Sequence, residues 1–168
     1  MAAYSLKRVQ NIPISPDKAW SFFSSPDNLR IITPPDLHFT ILSLHHGDRI
    51  YAGQLIEYRI RPIAGIPLYW MTEITQVQEN RYFIDEQRFG PYRLWHHQHH
   101  FKEIEGGVEM TDIVHYRLPL GVIGRLGHVL FLRRQLDQIF RYRFQQVESI
   151  FGAWPVRPAQ PSETVYTD

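Results

Sequence analysis

Residues 122–151 read VIGRLGHVLFLRRQLDQIFRYRFQQVESIF, and this run decides what the rest of the chain has to be. Placed at about 100° per residue, Leu126, Val129, Leu130, Leu136, Phe140, Phe144, Val147 and Phe151 fall on one side, with Leu132, Ile139 and Ile150 at its edge. Arg134, Gln135, Gln138, Tyr142, Gln145 and Ser149 fall on the other. A continuous helix over the span would be about 45 Å long. Gly121, Gly124 and Gly127 weaken its first turns, each costing up to ~1 kcal/mol against alanine, so the helix is expected to begin nearer Arg125. So one-sided a rod needs a broad apolar surface to lie against.

The residues before it read as strands. Tyr4 to Ile12 alternates with one irregularity. Ser15-Pro16-Asp17-Lys18 is a helix start, with a serine cap, a proline in the first turn and an acid at the positive end; Ala19, Trp20, Phe22 and Phe23 complete a short amphipathic helix. Ser25-Pro26-Asp27 starts a second, with Leu29, Ile31 and Ile32 as its apolar side, and Thr33-Pro34-Pro35 ends it. Strands are expected at Leu37–Leu44, Gln54–Arg61, Tyr69–Val77, Arg81–Gln87, Tyr92–Ile104 and Val108–Leu118, separated by turn residues. Connections this short make successive strands antiparallel. The expected architecture is α+β: a curved seven-stranded antiparallel sheet wrapped around a long C-terminal helix, with two short helices after the first strand. Residues 1–154 form one domain, and 155–168, with Pro155, Pro158 and Pro161, a loose tail.

Composition narrows the function classes. The chain is 43% hydrophobic and 21% charged, and eighteen Lys+Arg oppose seventeen Asp+Glu. That balance lacks the basic surface of a nucleic-acid partner. With no cysteine, disulfides, thiolate metal sites and cysteine nucleophiles are excluded. Met1 to Arg8 lacks the order of a secretory signal, and no run approaches the ~20 apolar residues of a membrane span. The expectation is a soluble, cytoplasmic protein with no stable membrane insertion.

Several stretches together resemble the START/Bet v 1-like superfamily (SRPBCC, the helix-grip proteins), in particular its bacterial ligand-binding and polyketide cyclase/dehydrase-like branch. They are Ser15-Pro16-Asp17-Lys18-Ala19-Trp20-Ser21-Phe22-Phe23, Ile32-Thr33-Pro34-Pro35, Gly90-Pro91-Tyr92, Trp95-x-His97-x-His99-x-Phe101, Asp112-x-Val114-x-Tyr116-x-x-Pro119, Arg133-Arg134-Gln135-Leu136 and Ile139-Phe140. The resemblance implies a cavity for a hydrophobic or aromatic small molecule between sheet and helix. It does not name the molecule, because one fold hosts many tasks.

The most unusual run is Leu94-Trp95-His96-His97-Gln98-His99-His100-Phe101. On a strand, Trp95, His97, His99 and Phe101 share one face, and His96, Gln98 and His100 the other. If Glu105-Gly106 is a two-residue turn, Phe101 faces Met110, His99 faces Asp112, His97 faces Val114 and Trp95 faces Tyr116. This wall mixes apolar side chains with four polar ones. Three readings stand: a His99–Asp112 hydrogen bond that only satisfies buried groups; orientation of a ligand carbonyl or hydroxyl; or acid–base catalysis by His97 or His99, with Asp112 setting the tautomer and Tyr116 donating to an oxyanion. Expected ligand contacts are Tyr58, Trp70, Trp95, His97, His99, Phe101, Met110, Asp112, Val114, Tyr116, Leu136, Phe140 and Arg143.

No cofactor motif accompanies these residues, and no cofactor or metal is expected. Two histidines at i and i+2, ~7 Å apart along the strand, can converge on zinc only with a third ligand from Asp112 or elsewhere. His96, His100, His45, His46 and His128 read as solvated. Arg133 and Arg143 lie within or beside the apolar stripe. Either their stems line the core and their heads reach water, or one enters the hollow to meet an acidic ligand or a carboxylate such as Glu57 or Asp112. Phe131, on the polar side, would pack against the tail or a partner. The apolar connection from Pro62 to Pro67 fits a lid at the cavity mouth or a homodimer contact. The remaining alternative is a partner-binding module whose hollow is filled by its own aromatic side chains.

Overall fold

The alternation from Tyr4 to Ile12 becomes strand β1 (Tyr4–Ile12) of the computed structural model, which describes residues 3–43, 47–63, 66–119 and 132–155. Helix α1 (Pro16–Phe23) starts as its sequence dictates: the Ser15 side chain accepts from the Lys18 backbone N–H at 3.4 Å, and Pro16 takes the first turn. Ala19, Trp20 and Phe23 are its buried side. Helix α2 (Pro26–Leu29) is a single turn, and of its expected apolar trio Ile32 is buried while Ile31 is exposed.

Six further strands follow: β2 (Thr40–Ile41), β3 (Leu55–Ile63), β4 (Ile66–Gln78), β5 (Tyr82–Phe89), β6 (Leu94–Ile104) and β7 (Gly107–Arg117). The sheet is seven-stranded and antiparallel in the order β1-β7-β6-β5-β4-β3-β2. It is chain order throughout, except that β1 closes onto β7. Register shifts between Ile60 and Ile63, Met71 and Thr72, and Ile74 and Gln76 interrupt the β3–β4 and β4–β5 ladders, and irregularities of this kind bend a sheet. Helix α3 (Arg133–Phe151), about 28 Å long, packs Leu136 and Phe140 against Leu6, Val114 and Tyr116 of the sheet. An Arg8–Asp137 ion pair and a bond from Gln10 Nε2 to the Phe144 carbonyl at 3.1 Å tie it to β1.

The core follows from this packing. Ile12, Trp20, Phe23, Phe83, Phe101, Val108, Met110 and Val147 form one cluster under α1, and Leu6, Val114, Tyr116, Leu136 and Phe140 a second under the start of α3. Gly107 shows how close the chains run: a Cβ there would lie 2.1 Å from the Ile12 carbonyl oxygen and 2.9 Å from Trp154.

Four expectations change. The strand expected over Leu37–Leu44 shrinks to Thr40–Ile41, because Pro35–Leu37 turns as a 3-10 helix and His38 adopts a left-handed backbone. The last expected strands start and stop elsewhere: Gln87 holds Tyr92 through Nε2 to the Tyr92 carbonyl (2.7 Å), and β6 begins only at Leu94. The connection expected from Pro62 to Pro67 is largely strand, since β3 runs to Ile63 and β4 begins at Ile66. Ile150, placed at the edge of the apolar stripe, is exposed, whereas Gln135, placed on its polar side, borders the interior. The helix start near Arg125, with Leu126, Val129 and Leu130, lies outside the described residues, as do His45, His46, His128, Phe131 and the tail from 156. Among the described residues no helix is long and apolar enough to cross a membrane.

Candidate functional site

The turn at Glu105 and Gly106, with Gly106 at φ +85°, joins Ile104 to Gly107 and pairs Phe101 with Met110, His99 with Asp112, His97 with Val114 and Trp95 with Tyr116. Alternation then sends one row inward: His97, His99, Phe101, Met110, Asp112, Val114 and Tyr116 are buried and Trp95 is half-buried. The outer row is different. His96 Nδ1 lies 3.0 Å from Glu86 Oε1, and His100 Nε2 lies 2.9 Å from Gln98 Oε1. These two histidines, expected to be solvated, are half-buried and hydrogen-bonded along the outer face.

On the inner face the strands bring together more than β6 and β7 contain. The β5–β6 register sets Asp85 beside His97 and Phe83 beside His99, and the Phe83 and His99 rings stack at 4.1 Å. The imidazoles of His97 and His99 are 3.7 Å apart, centroid to centroid. Each carboxylate reaches both rings. Asp112 Oδ1 lies 3.0 Å from His97 Nε2 and 2.9 Å from His99 Nδ1, the second contact lacking hydrogen-bond alignment. Asp85 Oδ2 lies 2.8 Å from His99 Nε2 and 3.6 Å from His97 Nδ1. The expected single His99–Asp112 bond is thus replaced by a four-membered cluster, because adjacent rings let one carboxylate serve two histidines.

Arg143 completes it from α3. Its Nη1 is 3.7 Å from Asp112 Oδ1, its guanidinium lies 5.9 Å from the Phe23 ring centre, and its Nε is buried without a hydrogen bond. Arg133, the other arginine in question, is exposed. Glu57 is half-exposed on the face opposite Ile56 and Tyr58, so it is not the buried partner.

Charges in this cluster are coupled. Burial favours protonation of Asp112, but the Arg143 charge and the two histidines hold its pKa well below the carboxylate range. Burial does the same at Asp85, where the hydrogen bond from His99 and the nearby cationic groups again win and lower the pKa. His97 is pushed down, first by burial and then by the neighbouring His99. His99 is raised, because the contacts with Asp112 and Asp85 outweigh its burial. Two carboxylates here face one arginine and one readily protonated imidazole. Asp85, His97 and His99 also offer one donor atom each within 4.8 Å of one another, which makes them the trio able to hold a metal among the described residues.

The cluster opens onto a cavity of roughly 240 Å³ between the sheet and α3, against the ~10–15 Å³ that holds one water. Tyr58, Trp70, Trp95, His97, His99, Leu136, Phe140 and Arg143 line it, all expected from sequence. Asp112 stands behind the histidines, Phe101 and Met110 are packed into the cluster under α1, and Val114 and Tyr116 into the one under α3. Tyr116 is fully buried among Tyr4, Tyr92 and Trp95. Sequence reasoning missed Asp85, together with Phe39, Tyr92 and Ile139 on the lining. Asp85 alternates with Phe83 and Gln87 on its strand. Only the β5–β6 register, which the four residues from Gly90 to Arg93 leave open, brings it to His97.

No family model matches the sequence, and no curated protein matches it. Solved structures do. Protein Ms6760 from Mycobacterium smegmatis matches with TM-score 0.64 at 16% identity, over 87% of this chain and 89% of that one. CV1439 from Chromobacterium violaceum matches with TM-score 0.66 at 11% identity, over 89% and 98%. Ara h 8.0201, a Bet v 1 homologue, matches with TM-score 0.59 at 14% identity, over 88% and 99%. A curved antiparallel sheet gripping a C-terminal helix, with two short helices after β1, defines an α+β helix-grip domain. The fold of the chain is Bet v 1-like.

Proposed function

We propose that the protein binds a hydrophobic or aromatic small molecule, lipid-, polyketide- or quinone-like, in the cavity between the sheet and α3. The observation that carries this reading is the asymmetry of the cavity wall. Ile56, Tyr58, Ile74, Trp70 and Phe140 make an apolar body, while His97, His99, Asp85 and Arg143 make one polar end. A ligand with an apolar skeleton and one oxygen fits both, since a few polar groups in a greasy pocket fix orientation. Arg143 Nε, buried without a partner, gains a hydrogen bond from such an oxygen. The test is native mass spectrometry of protein purified from its own host, together with titration by an apolar fluorophore. Saturable uptake at one site per chain is expected. No bound molecule and no dye uptake would remove the reading in favour of a partner-binding module with a self-filled core.

A second reading, a cyclase/dehydrase-like reaction on a carbonyl compound, is favoured by one observation: two imidazoles at the cavity wall, each within reach of two carboxylates. That is the arrangement a proton-transfer pair needs. In it His97 and His99 exchange protons with the substrate and Asp112 orients them. Tyr116, buried away from the cavity, takes no part. Unchanged turnover in His97→Ala, His99→Ala and Asp112→Asn, with a substrate in hand, would dismiss it.

A further inference from the structure

We infer that Asp85, His97 and His99 form a binding site for a divalent transition-metal ion at the polar end of the cavity, with Asp112 as the outer carboxylate that orients His97 and lies beside His99. The donors come from adjacent strands in direct register, Asp85 on β5 opposite His97 on β6, with His99 two residues along the same face. Asp85 Oδ2 stands 2.8 Å from His99 Nε2 and 3.6 Å from His97 Nδ1. Those separations bracket the roughly 3.3 Å between ligands that a tetrahedral ion imposes at bond lengths of about 2.0–2.1 Å.

The remaining ring nitrogens support the assignment independently. His97 Nε2 and His99 Nδ1 lie 3.0 and 2.9 Å from Asp112 Oδ1, the first of them aligned as a hydrogen bond. A metal-binding histidine directs its other ring N–H at a carboxylate, which fixes the tautomer and makes the ligating nitrogen more basic. With the His97 proton on Nε2 toward Asp112, the lone pair of His97 Nδ1 faces Asp85. Asp112 is in turn neutralised by Arg143. Asp85, His97 and His99 line the cavity and Asp112 does not, which is the order inner ligands and outer support require.

Charge points the same way. Asp85 and Asp112 are both buried or nearly so, with side-chain exposures of 14% and 9%, and Arg143 is the only arginine in the cluster. A dication held by two neutral imidazoles places positive charge beside the two carboxylates without protonating either ring. Two imidazoles and one carboxylate select zinc- or iron(II)-like ions over magnesium and calcium, which take oxygen ligands. Three protein ligands leave a coordination position open, here toward the apolar chamber. An oxygen of the cavity ligand would fill it. In that last step alone the inference rests on the small-molecule reading; ion binding stands apart from it.

The experiment uses tag-free, full-length protein stripped with a chelator and titrated with Co2+, read by visible d–d absorption, and with Zn2+, read by calorimetry. One ion per chain and a tetrahedral or five-coordinate Co2+ spectrum are expected. Asp85→Asn and His99→Gln should abolish the spectrum, Asp112→Asn should weaken Zn2+ by about 10–100-fold, and His96→Ala on the outer face should leave it unchanged. Folding of each variant is checked by circular dichroism. Folded wild-type protein that takes up no Co2+ overturns the site, and so does uptake that survives Asp85→Asn and His99→Gln. Dye titration of the stripped protein separates the two ideas: dye uptake without Co2+ removes the metal alone, and Co2+ without dye uptake removes the cavity ligand.

Discussion

The interior of this protein has a packed half and an open half, divided along the sheet. Under α1, the rings of Trp20, Phe23, Phe83 and Phe101 meet edge-on, tilted or stacked at 5.6–6.2 Å, with Met110 and Val147 in the same cluster. Toward β3 and β4 the same sheet and the same helix enclose free volume, walled by Ile56, Tyr58, Trp70 and Ile74 on one side and Leu136, Ile139 and Phe140 on the other. The ionisable cluster lies at the boundary. A sheet that curves away from a straight helix leaves more room than side chains can fill, and a short helix plugs only one end. Polar groups are tolerated at the boundary because most of them pair with one another there, Arg143 Nε and His99 Nδ1 excepted.

The contrast can be attacked in order of expected effect. Asp112→Ala should cost about 3–5 kcal/mol in urea unfolding, since it strands the buried Arg143 charge. If the penalty comes from charge rather than packing, Asp112→Leu combined with Arg143→Met recovers most of it; a double variant as weak as the single one would contradict that. In the packed half, Met110→Ala should cost about 2–5 kcal/mol, and a value near zero would mean that this half is looser than its ring contacts indicate. In the open half, Ile139→Phe adds volume where space exists. Its stability should change by less than ~1.5 kcal/mol while apolar dye binding weakens at least tenfold by fluorescence; undiminished dye binding would put the ligand elsewhere. Smallest of all, His96→Ala on the outer face should stay within ~0.5 kcal/mol by thermal melting, with dye binding intact.

Much of this was legible in the residues. Ser15-Pro16-Asp17 starts a helix with a serine side-chain cap, and Glu105-Gly106 between alternating runs gives a register that leaves His97, His99 and Asp112 on one face. Arg143 beside the apolar stripe left two readings open, a stem lining the core or a head meeting a carboxylate, and its Nη1 lies 3.7 Å from Asp112 Oδ1. The strand expected after Pro35 failed for a local reason, a 3-10 turn followed by a left-handed His38. Asp85 was invisible for a non-local one.

What the sequence determined by itself is the set of periods and punctuation marks. Period-2 runs joined by short turns can only make antiparallel neighbours, and a one-sided helix after them has only their concave face to cover. Backbone geometry and apolar burial act over a few residues, so they can be read along the chain. Tertiary structure alone decided that Asp85 meets His99 at 2.8 Å, that Asp112 stands behind the histidines and not in the cavity, and that Tyr116 is packing. Those outcomes depend on how β5 registers against β6 and how far the sheet bends from α3, and both are set by contacts between residues far apart in the chain.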